Sequence, residues 1–179
     1  MKFKITLKIN RKFGDLLPFN YQYEQSAVIY RILAQADTQY SSWLHENGYL
    51  LHERKRFKLF CYSPFIFEKV RTLPEAGCLK IIGERAVWYI SFIPEKSTLE
   101  FIQGIFAHQS FTIVNNKYQV AFDVVGVEAM SMQQLTEEMT FQALSPICVK
   151  LHEDNKTQYL SPDNPMFAEG ILKGLKARY

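Results

Sequence analysis

The order of strand-like and helix-like hydrophobic patterns along the chain constrains its fold more than any other feature. Residues 2–9 alternate strictly, with Phe3, Ile5, Leu7 and Ile9 on one face and mainly basic residues on the other, which predicts a half-buried strand. Six further segments follow: a helix over 23–36, a helical turn over 40–46, a strand over 57–67 broken near Pro64, a hairpin of 78–83 and 86–93, a helix from Pro94, and a strand pair over 111–114 and 118–127.

This order is βαββαβ, with the last β element folded back as a ribbon. It predicts an α+β fold of the ferredoxin-like type, in which an antiparallel sheet carries two helices on one face. Beyond residue 130 we expect a strand over 141–151, a loop over 153–165 and a helix over 166–179. The prediction is a ferredoxin-like domain over 1–130, which carries the site, and an incomplete second ferredoxin-like unit over 131–179.

Composition is that of a globular protein, with 47% hydrophobic and 22% charged residues among 179. A net charge of +3 is too small to identify a nucleic-acid-binding protein by itself. The three cysteines, Cys61, Cys78 and Cys148, are odd in number and far apart in the sequence. This indicates mainly buried free thiols in a reducing compartment. No apolar run approaches the roughly 18 residues of a membrane span, so we expect cytoplasmic residence and no membrane contact.

Two side chains between residues 19 and 67 suit proton transfer. Tyr30 lies on the first predicted helix and His45 at the end of the following helical turn. Histidine is the residue type that exchanges protons near neutral pH, and His52 competes with His45 for such a role. The alternative for Tyr30 is a core-edge aromatic with a hydrogen-bonded hydroxyl, and for His45 an exposed or structural histidine.

The densest basic run of the chain comprises Arg54, Lys55, Arg56 and Lys58, and aromatic residues alternate with it. This mixture suits phosphate pairing together with base stacking, although most basic runs are only solvated surfaces. Lys4 and Lys8 lie on the outer face of the first strand and extend the basic surface. Paired cysteine spacing, histidines at i and i+4, a P-loop and a GxGxxG motif are all absent, so we expect no metal and no cofactor.

The chain resembles the CRISPR-repeat-processing endoribonucleases, the Cas "six" type, of the RAMP superfamily. Six segments carry the resemblance in order and at approximate spacing: Lys-Phe-Lys-Ile at 2–5, Phe-Asn-Tyr-Gln-Tyr at 19–23, Ile29-Tyr30, Trp-Leu-His-Glu at 43–46, Lys-Leu-Phe-Cys-Tyr-Ser at 58–63, and residues 140–147. The glycine-rich segment near the C-terminus of the family is not present, and a truncated chain, a gene fragment and a variant completed by a partner are the three explanations.

The resemblance implies a catalytic set of Tyr30, His45 and Lys58, with Lys55 as the alternative to Lys58. It also implies metal-independent cleavage of CRISPR repeat RNA by attack of the ribose 2′-hydroxyl. The implied partners are the repeat or precursor RNA and other CRISPR effector subunits. A second copy of the chain is a further expected partner, because the open edge of the unfinished second sheet invites strand addition. Two alternatives stay open: a non-catalytic RAMP subunit that holds CRISPR RNA, and a ferredoxin-like assembly module unrelated to RNA.

Overall fold

The computed structural model describes residues 1–52, 55–131, 134, 136–143, 145–153 and 156–176, with the backbone alone at 51, 52, 55 and 153. The strands and helices follow in chain order: β1 (Lys2–Asn10), β2 (Leu16–Pro18), α1 (Gln22–Ala36), α2 (Thr38–Glu46), β3 (Tyr49–His52), β4 (Lys55–Phe57), β5 (Phe60–Tyr62), β6 (Ile66–Phe67), β7 (Val70–Leu73), β8 (Cys78–Ile81), β9 (Arg85–Phe92), α3 (Glu95–Ala107), β10 (Ser110–Val114), β11 (Gln119–Met130), β12 (Lys150–Glu153), β13 (Lys156–Tyr159) and α4 (Pro165–Lys176). Two compact units contain them, the first comprising 1–49 with 58–132 and the second 50–57 with 133–179.

The first unit is built on an antiparallel sheet in the order β10-β11-β1-β9-β5, and β6 also pairs with β9, at Ala86 and Val87. The first and last long strands, β1 and β11, therefore lie side by side in the middle. Without β10, the order is that of a ferredoxin-like sheet, and β10 is the folded-back strand of the predicted ribbon. The predicted α+β, ferredoxin-like fold is confirmed.

The alternation in β1 decides which face of the sheet is covered. Phe3, Ile5, Leu7 and Ile9 are all buried, as the period of two predicts. The buried residues of α1 and α3 join the same core, and the two helices approach closely at Gly104. This packing leaves the other face of β1, with its lysines, on the opposite side of the sheet.

The predicted hairpin of 78–83 with 86–93 is wrong. Strand β8 pairs with β2 and β7 in a separate three-stranded sheet, and β9 pairs with β1, β5 and β6. A turn over Pro74–Ala76 followed by Gly77, which has a φ of 63°, sends the chain back along β7. Because two apolar segments close in sequence need not pair, the periodicity could not reveal this choice.

The second unit corrects two other predictions. No strand occurs over 141–143 or 145–149, and β12 contains only the end of the predicted strand over 141–151. Pro146 lies within that segment and cannot donate to a strand ladder. The predicted loop over 153–165 contains β13, which pairs with β12. The domain boundary at residue 130 stays a prediction.

The cysteines test the expectation of buried thiols. Only Cys78 is buried, whereas Cys61 and Cys148 are exposed, so the prediction of mainly buried thiols is wrong for two of the three.

Among the described helices, none combines the length and the apolar character needed to cross a bilayer.

Candidate active site

The corner between α1 and α2 positions the two predicted proton-transfer residues. Asp37 separates the helices, and its carboxylate accepts a hydrogen bond from the backbone N–H of Tyr40 at 2.8 Å, which caps α2. Ser41 Oγ donates to the carbonyl oxygen of Tyr30 at 2.7 Å. The first bond begins α2, and the second joins its first turn to α1.

Tyr30 and His45 meet across this corner. Their ring centroids lie 4.9 Å apart with an interplanar angle of 84°, which is an edge-to-face contact. Tyr30 is half-buried and also packs edge-to-face against Phe60 at 5.7 Å, whereas His45 is exposed. A phenol with a fixed ring therefore lies beside an imidazole that solvent and ligands can reach.

Burial raises the pKa of the Tyr30 phenol above its ordinary value of 10.0, and the neighbouring Tyr62 hydroxyl raises it further. Both effects disfavour the phenolate. Tyr30 therefore stays protonated at neutral pH and can donate or accept a hydrogen bond without carrying charge.

Lys58 reaches the same helix end. Its ammonium donates to the carbonyl oxygen of Leu44 at 2.5 Å and to that of His45. Cations at a helix C-terminus are stabilised by the carbonyl groups that lack intrahelical partners. The structure therefore brings Tyr30, His45 and Lys58 together, with Lys58 bonded to the backbone of the histidine.

A cleft of about 280 Å³ opens between α1 and α2, lined by Tyr30, Arg31, Ala34, Ser41, Ser42, His45 and Glu46. The sequence reasoning missed Arg31, which donates from Nη2 to the carbonyl oxygen of Thr112 at 2.8 Å. Its position directly after Tyr30 was the available signal. The approach of β10 to α1, which fixes its guanidinium, could not be predicted from local periodicity.

Of the predicted RNA-binding residues, the structure describes the side chains of Lys4 and Lys8 in the first unit and of Arg56 in the second. Lys4 forms an ion pair with Glu128 at 3.1 Å, and Lys8 lies opposite Asp123 in the sheet register. Arg56 is exposed in the second unit. Arg54 and the side chains of Lys55 and His52 lie outside the described part of the chain. Among the residues that are described, no three histidine, cysteine or acidic side chains are grouped to hold a metal ion.

Fold and site together define a ferredoxin-like α+β protein with a tyrosine, a histidine and a lysine gathered at one helix end. The family model described as CRISPR-associated protein Cas6, N-terminal, matches residues 16–123, and its C-terminal counterpart matches residues 130–179. The chain belongs to the Cas6 family of CRISPR-associated proteins.

Three known proteins are similar to this chain. The CRISPR-associated endoribonuclease-like protein Cas6nc of Pyrococcus horikoshii is 25% identical over 173 residues, which cover 94% of this chain and 66% of that protein. The CRISPR-associated endoribonuclease Cas6 1 of Methanocaldococcus jannaschii is 25% identical over 180 residues, which cover 98% of this chain and 65% of that protein. A solved RAMP protein that binds different RNA substrates superposes with a TM-score of 0.77 at 24% identity, covering all of this chain and 70% of that one. The chain thus spans about two thirds of the length of the curated relatives it matches.

Proposed function

We propose that this chain is an endoribonuclease that cleaves CRISPR repeat RNA without a metal ion. The contact of Tyr30 with His45 at 4.9 Å, at the helix end that Lys58 also reaches, carries the proposal. The arrangement supplies a proton carrier, a neutral hydrogen-bonding group and a cation within one site. The two curated relatives named as endoribonuclease or endoribonuclease-like support the same reaction class.

In the proposed reaction the ribose 2′-oxygen attacks the adjacent phosphorus and the bond to the 5′-oxygen breaks. The products are a 2′,3′-cyclic phosphate and a 5′-hydroxyl. A protonated phenol is a poor base, so Tyr30 orients the 2′-hydroxyl while His45 accepts its proton and protonates the leaving 5′-oxygen. Each such acid–base step is worth about 10²–10⁴-fold in rate.

Lys58 stabilises the negative charge that develops on the phosphorane, and Lys55 is the alternative cation for this role. By donating to the carbonyl oxygen of His45, Lys58 also fixes the backbone from which the imidazole projects. Arg54, Lys55, Arg56, Lys4 and Lys8 are the proposed RNA-binding residues. Residues 1–130 form the domain that carries the site, and residues 131–179 begin a second ferredoxin-like unit.

Cleavage of the repeat RNA of the source organism in EDTA tests the proposal. Wild-type protein is compared with His45→Ala and with the control His108→Ala, which removes an imidazole after α3. We expect His45→Ala to lose at least about 10²-fold in rate while keeping its RNA affinity, and His108→Ala to cut normally. A 2′-deoxyribose at the scissile position should abolish cutting by all three.

Two results would contradict the proposal: wild-type cutting that requires a divalent metal ion, and a His45→Ala variant as fast as wild type. Cutting of the deoxy substrate would exclude 2′-hydroxyl attack in particular.

A non-catalytic RNA-binding subunit is the second candidate, and the RAMP protein with the same fold that binds different RNA substrates favours it. Such a subunit would bind repeat RNA with an affinity that falls steeply as salt rises, would leave the RNA intact, and would be indifferent to His45→Ala. Other CRISPR effector subunits and a second copy of the chain are its proposed partners. Absence of any salt-dependent RNA affinity would instead favour an assembly module.

A further inference from the structure

We propose that Arg31 binds a phosphate group in the cleft between α1 and α2, beside His45. The inference rests on the proposed function in taking that phosphate to be part of an RNA backbone. The binding of a phosphate anion in the cleft is a separate physical property, which can be tested without RNA.

The position of Arg31 follows from its helix. It directly follows Tyr30 on α1, and both residues line the cleft that His45 lines from α2. Ala34, Ser41 and Ser42 contribute small side chains to the same walls and leave about 280 Å³ open. Arg31 and His45 thus line one cleft from its two helices.

The electrostatic setting of Arg31 favours an anion. A guanidinium has five N–H donors, and one hydrogen bond of Arg31 goes to a neutral acceptor, the carbonyl oxygen of Thr112. This bond orients the planar group without neutralising its charge. Within the described ranges, no carboxylate forms an ion pair with Arg31. A planar, oriented and uncompensated guanidinium is well suited to bidentate binding of phosphate.

The lining of the cleft contains one opposing charge. Glu46, next to His45, carries an exposed carboxylate that repels an anion. Among the described lining residues, Arg31 is the only side chain with a permanent positive charge. Phosphate binding in the cleft should thus respond in opposite directions to neutralisation of Arg31 and of Glu46.

Titration of the whole chain with inorganic phosphate, followed by the NMR shift of the His45 ring protons, is the first test. The variants are Arg31→Gln, Glu46→Gln and the matched control Arg71→Gln, which removes an exposed arginine from β7. We expect Arg31→Gln to weaken the apparent affinity by about tenfold, since a hydrogen bond to a charged group is lost. Glu46→Gln should tighten binding, and Arg71→Gln should match wild type.

A structural role of Arg31 alone would not produce this pattern. Arg31→Gln and Arg31→Lys both remove the planar fork, but only Arg31→Lys keeps the positive charge. Far-UV circular dichroism of each variant checks that the fold is intact, and Arg31→Lys should bind phosphate more tightly than Arg31→Gln. Equal affinity of Arg31→Gln and Arg71→Gln, or no phosphate response of His45 in wild type, would overturn the proposal.

A second test uses repeat RNA that carries a 2′-deoxyribose at the scissile position. The slope of log affinity against log salt should fall by about 0.7 in Arg31→Gln and remain unchanged in Arg71→Gln. If wild type binds phosphate as expected but never cuts RNA, the proposed nuclease function fails and the Arg31 assignment stands. If wild type cuts RNA, but Arg31→Gln and Arg71→Gln have the same salt slope and the same phosphate affinity, the Arg31 assignment fails and the proposed nuclease function stands.

Discussion

Leu59, which directly follows Lys58, has a φ of 55° and is the one described non-glycine residue with a left-handed backbone. Its carbonyl oxygen accepts a hydrogen bond from the N–H of Ile93 at 3.0 Å. The left-handed region costs an L-residue about 1–2 kcal/mol. The strain lies between Lys58, which contacts the helix end of the site, and Phe60, which packs on Tyr30.

Substitution of Leu59 by glycine and by alanine isolates this strain, because both variants lose the same packing. We expect Leu59→Gly to be more stable than Leu59→Ala by about 1 kcal/mol, since only glycine adopts a positive φ without penalty. Urea denaturation of the two variants measures the difference. An alanine variant that is the more stable of the two would contradict the left-handed backbone.

Lys58 contacts the backbone of His45, whereas the side chain of Lys55 lies outside the described part of the chain. We expect Lys58→Ala to lower the single-turnover cleavage rate by about 10²-fold and Lys58→Arg to recover part of it, because the charge is retained. Lys55→Ala serves as the comparison under the same conditions. A larger loss in Lys55→Ala would transfer the charge-stabilising role to Lys55.

At the scale of whole elements, the contact between α1 and α3 depends on a glycine. A Cβ added at Gly104 would lie 1.8 Å from the carbonyl oxygen of Ile32, which belongs to the backbone of α1. This atom cannot move without displacing the helix that carries Tyr30. The close approach therefore couples the packing of α3 to the position of the site.

Gly104→Ala should destabilise the protein by about 3 kcal/mol, although alanine is the better helix former, because the helices must separate. Gln103→Ala, at an exposed position of the same helix, is the matched control and should be nearly neutral. Thermal unfolding of both variants measures the effect. A Gly104→Ala variant as stable as the control would show that α1 and α3 are not in backbone contact.

The cap of α2 should make stability depend on acid pH. The backbone N–H of Tyr40, and then the Lys96 ammonium at 3.1 Å, lower the pKa of Asp37 below its ordinary value of 3.8. A lowered folded-state pKa contributes stability above pH 3.8, and this contribution is lost as the pH falls through the folded-state pKa. Wild type should therefore exceed Asp37→Asn in free energy of unfolding at pH 7.

This advantage should shrink when urea denaturation is repeated at pH values stepped down through 3.8. An advantage that stays constant down to pH 3 would mean that the carboxylate is not the titrating group. Lys96→Met should reduce the wild-type advantage at pH 7, because it removes the hydrogen bond and the positive charge by which Lys96 helps to lower the pKa of Asp37.

At the scale of the whole molecule, burial is distributed unequally. In the first unit, strands β1 and β9 are among the elements that carry buried side chains, whereas no described residue of the second unit is buried. Elements with few buried contacts open at low free-energy cost. The two units should thus differ in local stability.

Amide hydrogen exchange on the full chain should show this difference directly. We expect the slowest exchange in β1 and β9 and much faster exchange in β12, β13 and α4, because the latter lack a buried core. Protection in α4 equal to that in β1 would contradict the expectation.

Local sequence patterns determined most elements of the first unit. The alternation of β1, the helix predicted over 23–36 and the helical turn predicted over 40–46 depend on side chains near one another in the chain, so they could be predicted correctly. Tyr30 and His45 were candidates because of their residue types, and the short α1–α2 connection placed them in contact. Their catalytic roles stay predictions.

Only the tertiary structure decided the long-range pairings. The choice of β2 and β7 as partners of β8, the bond from Arg31 to Thr112, and the contact of Lys58 with the end of α2 all join segments separated by non-local connections. Several pairings satisfy the same hydrophobic pattern, and the packing of the whole core selects among them. The sequence therefore determined which elements form and which chemistry is available, and the fold determined which side chains share one cleft.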